Sequence, residues 1–366
     1  MPGTIIHFGL PLLVTILFMF ALRPVARGVG LIDRPGGRKM HVGEIPVIGG
    51  LAMMGGLIVG SLYGYQSIRG FPFFLAALVV LVLIGALDDR YDLPASVRFL
   101  AQLCAALLMV GGADVYALDL GVFMLASYSV LEWLSVPFTI LIVVTSINAF
   151  NMFDGSDGVA GIQGIIALLF LGAACLMSGQ EAHLPMMVAL LGCILGFLIF
   201  NWPSKRTRSV RAFMGDAGST MLGFALAWMS IELSQPPVRA VSPIAVLWIF
   251  ALPIYDLFSS MLRRIQQGRS PFHGDSEHLH HILRRLGFSS RKVAQIVLIA
   301  AALMATIGMV AKTAGVPDGL LCLAWLIVGA TYHLVFGSGL VIRRRTEVRE
   351  GDATVAGAGK FRTSWK

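Results

Sequence analysis

Residues 132–158 read EWLSVPFTILIVVTSINAFNMFDGSDG, an apolar run that breaks into Asn148, Asn151, Asp154 and Asp157, with Gly155 and Gly158 among them. The apolar part, 132–150, is long enough to cross a bilayer as a helix, which takes about 20 residues. The polar part is foreign to hydrocarbon, where an ionised carboxylate costs roughly 2.5 to 3.5 kcal/mol on insertion scales. Two acids and two amides therefore belong at an aqueous rim or in a polar cavity. Asp154 and Asp157 are three residues apart, so a helical turn would put them on one face, and the glycines would let backbone approach a ligand closely. An ordinary interhelical loop accounts for one acid but gives no reason for this density of Asn, Asp and Gly.

The rest of the chain repeats the apolar half of that pattern. With 57% hydrophobic and 13% charged residues over 366 positions, and a mean hydropathy of +0.80, a soluble globular protein is excluded. Eleven apolar stretches have bilayer length, at about 5–23, 46–65, 71–87, 98–113, 132–150, 158–178, 184–201, 213–231, 240–260, 292–311 and 318–337. The expectation is an all-α, polytopic membrane protein of about 11 transmembrane helices. It would be one helical bundle over 1–340, followed by a basic, disordered cytoplasmic tail over 341–366. The first stretch has no basic residue before it and no small-residue cleavage site after it, and so reads as an uncleaved helix. Cys104, Cys175, Cys193 and Cys322 fall inside apolar stretches without metal-ligand spacing and read as packing residues.

The net charge of +8 is a topology signal before it is anything else. On the eleven-span count, 25 of the 28 Lys and Arg residues fall on one side, and only Arg69, Arg239 and Lys312 fall opposite. Positive residues stay in the cytoplasm, which puts the amino terminus outside (periplasmic) and the carboxyl terminus inside. The charge then needs no nucleic-acid partner.

Every unusual polar segment falls on that cytoplasmic side. After span one come Arg38, Lys39 and His41, followed by Gly43, Pro46 and the pair Gly49-Gly50, which read as cations beside a glycine hinge. Span three ends in Asp88-Asp89-Arg90. Two adjacent carboxylates repel each other, and acids at a helix carboxyl terminus oppose the macrodipole, so a metal–phosphate site or a proton acceptor is implied. Span eight opens with Phe213-Met-Gly215-Asp216-Ala-Gly218-Ser219, a metal-capable carboxylate at an anion-attracting helix start. After span nine, His273, His278, His280 and His281 lie within nine residues, backed by Arg284 and Arg285. A zinc site is the obvious rival, but no cysteine is near, and neighbouring His280 and His281 diverge on a helix, so four-ligand closure is poor. Glycines at 56, 60 and 64, and at 192 and 196, read as helix-packing contacts.

Three acidic centres, cations and flexible loops at a membrane surface suit magnesium–diphosphate chemistry with a lipid substrate. Residues alone do not name the donor. The order and spelling of the segments resemble the polyprenyl-phosphate N-acetylhexosamine-1-phosphate transferases. The resemblance runs in register from about 33 to 285. It is carried by Asp33-Arg34-Pro35 with Arg38-Lys39-x-His41-x-Gly43-x-x-Pro46, Asp88-Asp89-Arg90, Asn148-x-x-Asn151-x-x-Asp154-Gly-x-Asp157-Gly, Phe213-x-Gly-Asp216-x-Gly-Ser219 and His278-Leu-His280-His281. It is closest to the bacterial branch that charges undecaprenyl phosphate with GlcNAc-1-phosphate from UDP-GlcNAc, releasing UMP and starting cell-envelope glycan synthesis such as O-antigen. Gly43-Glu-Ile-Pro46 departs from the Gly-Thr-Pro-Thr segment typical of the UDP-MurNAc-pentapeptide branch. Ser276 stands where the family often has Arg, which keeps a modified UDP-HexNAc donor open.

The resemblance implies an eleven-helix bundle in the bacterial inner membrane with a cytoplasmic cleft, and Mg²⁺ as cofactor, with Mn²⁺ as a substitute. It also implies roles. Asp216 would be the principal metal ligand and Asn151 a weaker one, and Asp88 or Asp89 would take or steer the proton of the attacking phosphate. Asn148, Asp154, Asp157 and Phe213 would hold the nucleotide, His278, His280, His281 and Arg284 the diphosphate and sugar, and Lys39 and His41 would add positive potential. The partners are the two substrates and membrane lipid, and a homodimer is compatible with the pattern. The rival from another class is an ion-coupled transporter, which would place acids near mid-bilayer.

Overall fold

The computed structural model describes residues 2–34, 43–63, 69–119, 128–155, 157–203, 211–271 and 278–338. Lys39 and His41, the other residues of 35–42, and the tail after 338 lie outside the described residues.

Each of the eleven predicted stretches is occupied by a helix, because a chain in lipid must satisfy its own backbone groups and a helix does so locally. The long helices are α1 (Pro2–Val29), α3 (Phe71–Tyr91), α4 (Ala95–Leu107, continued by a π-helical turn Leu108–Gly112), α5 (Tyr128–Phe153), α6 (Val159–Ser178), α7 (Leu184–Asn201), α8 (Gly215–Ser234), α12 (Ser290–Thr313) and α13 (Asp318–Tyr332, continued by a π-helical turn His333–Gly337). The short ones are α2 (Gly49–Ser61), α9 (Pro243–Ile249), α10 (Ala251–Gln266) and α11 (Leu279–Arg285). Among the described residues, eight helices are long and apolar enough to cross a membrane, and nine if α9 and α10 form one broken span. With α2 and α8 they account for the eleven stretches. The protein is an all-α, multi-pass membrane protein.

Two exceptions to simple span geometry organise the site. α8 is long enough to span but less apolar than its neighbours, and it is buried from Ala217 to Ser234 at every position but Thr220. It packs against α2, α3, α5 and α6, so protein rather than lipid surrounds it and the demand for an apolar exterior disappears. α9 and α10 meet at 74° around Phe250. Pro253 lies in the first turn of α10, where its missing N–H costs nothing, but one continuous helix would drive its ring into the carbonyl four residues back, so the helix restarts.

Glycines let α8 be approached this closely. A Cβ on Gly85 of α3 would meet the Ala217 backbone at 2.5 Å, and one on Gly50 of α2 the Gly218 nitrogen at 2.2 Å. Gly49 and Gly50 therefore begin a helix pressed onto the head of α8, a packing role in place of the expected hinge. Gly56, Gly192 and Gly196 serve α1 in the same way, as the four-residue spacing predicts. A short antiparallel pair, β1 (Ile32–Asp33) with β2 (Ile45–Pro46), ties the segment after α1 to the segment before α2. Val47 then bridges in parallel to Phe213.

Candidate active site

The acids predicted from separate segments converge at one end of the bundle. Asp89, in the last turn of α3, accepts the backbone N–H groups of Asp216 at 2.9 Å and Ala217 at 3.3 Å, and so caps the amino terminus of α8. That approach requires Gly215, whose φ is +72° and whose Cβ would lie 2.4 Å from Asp89 Oδ2. Asp88 is buried; its Oδ1 accepts Leu93 N–H at 2.7 Å and its Oδ2 the Arg98 guanidinium at 3.2 Å. Arg98 also lies 3.8 Å from Asp216 Oδ2. Asn151, in the last turn of α5, donates its amide to Asp216 Oδ1 at 2.7 Å and to Ser219 Oγ at 3.1 Å.

The turn after α5 joins the same cluster. Burial, with Asp216, Asp89 and Asp157 nearby, pushes the Asp154 carboxyl well above the usual carboxylate range. Asp157 is buried and pairs with Arg211, whose guanidinium lies 5.2 Å from the centre of the Phe213 ring. Asn201 fixes this corner: its side chain accepts Gly158 N–H at 2.6 Å and donates to Ala212 O at 2.8 Å. Phe213 is set by main-chain bonds, its N–H to Pro46 O and its carbonyl to Gly49 N–H, both 2.9 Å. Asn148 stands apart from this group: its amide donates to Gln102 Oε1 at 2.7 Å and to Val144 O at 2.8 Å, joining α4 to α5.

The histidines approach from α11. His280 is buried against Gly155, where an added Cβ would come within 1.9 Å of its Nε2. Among the described residues neither ring nitrogen of His280 has a hydrogen-bond partner, which leaves both open to a ligand. Burial, aided by His281, pushes its pKa down to about 3, so the ring is neutral at working pH. The His280 ring centre lies 5.9 Å from that of His278 and 4.2 Å from that of His281. Arg284 turns instead onto Phe288 O at 3.1 Å, at the end of its own helix.

Among the described residues, no three His, Cys, Asp or Glu side chains converge as a closed metal cage. Mg²⁺ needs no such cage, since it binds through one or two carboxylates and completes its shell with water and substrate phosphate. Asp216 lies among several carboxylates balanced by Arg98, surroundings a hard cation would relieve, and Asn151 turns its amide nitrogen to Asp216 Oδ1. An apolar groove of about 370 Å³ is lined by Phe138, Ile142, Ile231, Ile254, Phe258 and Trp325, and reaches Asp119, Ser234 and Gln235 at the end of α8 away from Asp216. Ser146 also lines it, five residues before Asn151, or about 7.5 Å along the α5 axis.

Arg98 and Arg211 were legible only as topology charges, and Gln102 and Asn201 not at all. A lone amide in an apolar helix (Gln102) and an Asn at a helix end before Trp202-Pro203 (Asn201) are the signals that could have found the last two.

The glycosyl transferase family 4 model matches residues 71–234, from the start of α3 to the end of α8. Similar curated proteins extend the likeness over most of the chain. The undecaprenyl-phosphate alpha-N-acetylglucosaminyl 1-phosphate transferase of Yersinia pestis is 35% identical over 326 residues, 87% of this chain and 88% of that protein. The proteins of the same name from Escherichia coli strain K12 and Pasteurella multocida are 36% and 33% identical, each over 87% of this chain and at least 87% of their own length. With that coverage on both sides, and with the matched segment holding the Asp88, Asn151 and Asp216 constellation, the chain belongs to glycosyl transferase family 4.

Proposed function

We propose that this protein transfers GlcNAc-1-phosphate from UDP-GlcNAc to undecaprenyl phosphate, giving undecaprenyl-diphospho-GlcNAc and UMP, at the cytoplasmic face of the bacterial inner membrane. The carrying observation is the junction of three helix ends at which Asp216, Asn151, Asp88 and Asp89 meet around Arg98. The names of its relatives supply the substrates, and the apolar groove in the same bundle suits a polyprenyl chain.

Asp216, with the amide oxygen of Asn151, would hold Mg²⁺, which supplies charge neutralisation on the donor diphosphate as its phosphoanhydride bond breaks. Arg98 lies between Asp88 and Asp216 and is placed to steer phosphate oxygens into the cluster. Asp88 or Asp89 takes or directs the acceptor proton. Asp89 already accepts two backbone N–H groups, so its first contribution is to hold Asp216 in place. Phe213 offers a ring face to the base, and Asp157 with Arg211 shapes the neighbouring wall. His280, neutral and without a hydrogen-bond partner among the described residues, would donate one hydrogen bond to the donor's diphosphate or sugar. Lys39 and His41 would add positive potential from 35–42.

An ion-coupled transporter fits less well. The described acids of α3 and α8 lie at helix ends, with Glu232 and Asp119 at the opposite end paired to His183 and Arg239. The test is UMP release by purified protein given undecaprenyl phosphate, Mg²⁺ and, separately, UDP-GlcNAc, a modified UDP-HexNAc or UDP-MurNAc-pentapeptide. Release with UDP-GlcNAc that EDTA abolishes supports the reading. Release only with another donor moves the pathway, and no release from folded protein refutes it.

A further inference from the structure

Asp256 has no part in the chemistry described above, yet it is among the most heavily engaged polar groups in the molecule. It is 4% exposed, in the first half of α10. Its Oδ2 accepts His278 Nδ1 at 2.8 Å, and its Oδ1 accepts both the Leu279 N–H and the Tyr332 hydroxyl, each at 2.8 Å. The three donors come from the segment that opens α11 and from the last turn of α13. A carboxylate buried among helices is costly unless fully hydrogen-bonded, and here it is. A backbone cap for α11 would need only a neutral acceptor, as Ser242 and Ser289 supply to α9 and α12. The charge is explained by the ring.

We infer that Asp256 is a positioning residue for His278, fixing the ring's orientation and its Nδ1–H through the 2.8 Å contact, with Tyr332 fixing Asp256 in turn. One carboxylate engaging both the side chain of His278 and the next backbone N–H removes rotation of the ring and of the segment together. Nδ1 faces Asp256 at 2.8 Å with Ser260 Oγ 3.3 Å away, so the ring plane, and with it the direction of Nε2, is fixed from this side. The His278 and His280 rings lie 13° from parallel with their centres 5.9 Å apart. Asp256 lies between Ile254 and Phe258, which line the apolar groove, so opposite faces of one helical stretch serve the acceptor chain and the donor's diphosphate.

α13 is built to hold this arrangement. Tyr255 donates to Trp325 O at 2.6 Å and Trp325 donates to Leu247 O at 3.0 Å, bolting α13 to α9 and α10. Gly329 lets the helix close on Tyr255, whose ring an added Cβ would meet at 2.8 Å. Tyr332 thus reaches Asp256 from a helix lying beyond the segment that the family model matches.

The inference rests on the transferase reading, and its test separates the two. Full-length wild type, Asp256→Asn, Asp256→Glu, Tyr332→Phe, His278→Asn and Asp256→Asn with His278→Asn are compared for kcat/KM in UMP release. Each is also checked for a monodisperse, cooperatively melting preparation. Asp256→Asn is expected to lose about 10- to 100-fold, Tyr332→Phe about fivefold, and Asp256→Glu to recover part of the loss. The double variant should fall no lower than His278→Asn alone, because Asp256 acts through that ring. Multiplying losses, or Asp256→Asn at wild-type rate, would overturn the inference. ¹⁵N-histidine spectra read the same point without turnover. A hydrogen-bonded Nδ1–H signal that His278→Asn removes should shift in Asp256→Asn, and an unchanged signal would overturn the role even if no donor released UMP. Where Asp256→Asn does not fold, Tyr332→Phe carries both readouts: a shifted signal with reduced kcat/KM upholds the role, and wild-type values in both reject it.

Discussion

The Asp89 carboxylate accepts the backbone N–H of Asp216 at 2.9 Å, so the end of one helix is the cap of another 127 residues away in sequence. The two roles expected of the Asp88-Asp89 pair are thereby divided. Asp89→Ala removes the cap and should cost about 1 kcal/mol of stability along with most activity. Asp88→Asn keeps the main-chain geometry of α8 and should lose turnover with a smaller change in melting temperature. Melting curves beside initial rates check this division, and equal destabilisation by both variants would refute it.

Asp216→Asn should abolish UMP release while the protein still inserts and melts cooperatively. Mg²⁺ should raise the melting temperature of the wild type and leave that of the variant unchanged. Substantial turnover by the variant would remove Asp216 from the metal site.

Protons should oppose that Mg²⁺ effect. The raised Asp154 pKa means that its ionisation disfavours the folded state: the cost is absent below the ordinary carboxylate value of about 3.9 and grows as pH rises towards the folded value. A divalent cation offsets the cost only where the acid is ionised. The Mg²⁺-induced rise in melting temperature should therefore be larger at pH 8 than at pH 5.5, and a pH-independent shift would contradict the electrostatic account.

Gly155→Ala places a Cβ 1.9 Å from His280 Nε2, and the ring is 1% exposed with little room to yield. Overpacking of this kind costs about 1–3 kcal/mol, and kcat/KM should fall at least tenfold as the ring is displaced. Combining the change with His280→Ala should return stability to that of His280→Ala alone. If it does not, the clash lies elsewhere.

Phe213→Ala should raise KM for the nucleotide sugar by about tenfold with kcat little changed, as loss of a stacking face to a base removes roughly 1–3 kcal/mol. Steady-state kinetics decide it. A fall in kcat at constant KM would mean that Phe213 serves the packing between Pro46 and Gly49 and not the donor.

How much could be read in advance followed from what each feature depends on. Helix positions were legible because bilayer length and backbone satisfaction are local demands that composition announces. Asp88, Asp89, Asn151, Asp154, Asp157, Asp216 and His280 were legible as candidates because polar residues are expensive beside apolar spans and so stand out by their presence. Asn148 and Arg284 belong to the same segments, and the structure pairs them with Gln102 and Phe288, a choice of partner that spacing cannot express. Asp256 with His278 and Tyr332, Asn201 with Gly158 and Ala212, and Arg98 between Asp88 and Asp216 are juxtapositions across 10 to 118 residues. Sequence by itself determined where the apolar helices lie and where polar residues interrupt them. Tertiary structure decided which groups face one another, because that depends on how nearly helices approach: Gly50 and Gly85 admit α2 and α3 to the backbone of α8, and the break at Phe250 turns α10 toward the histidines.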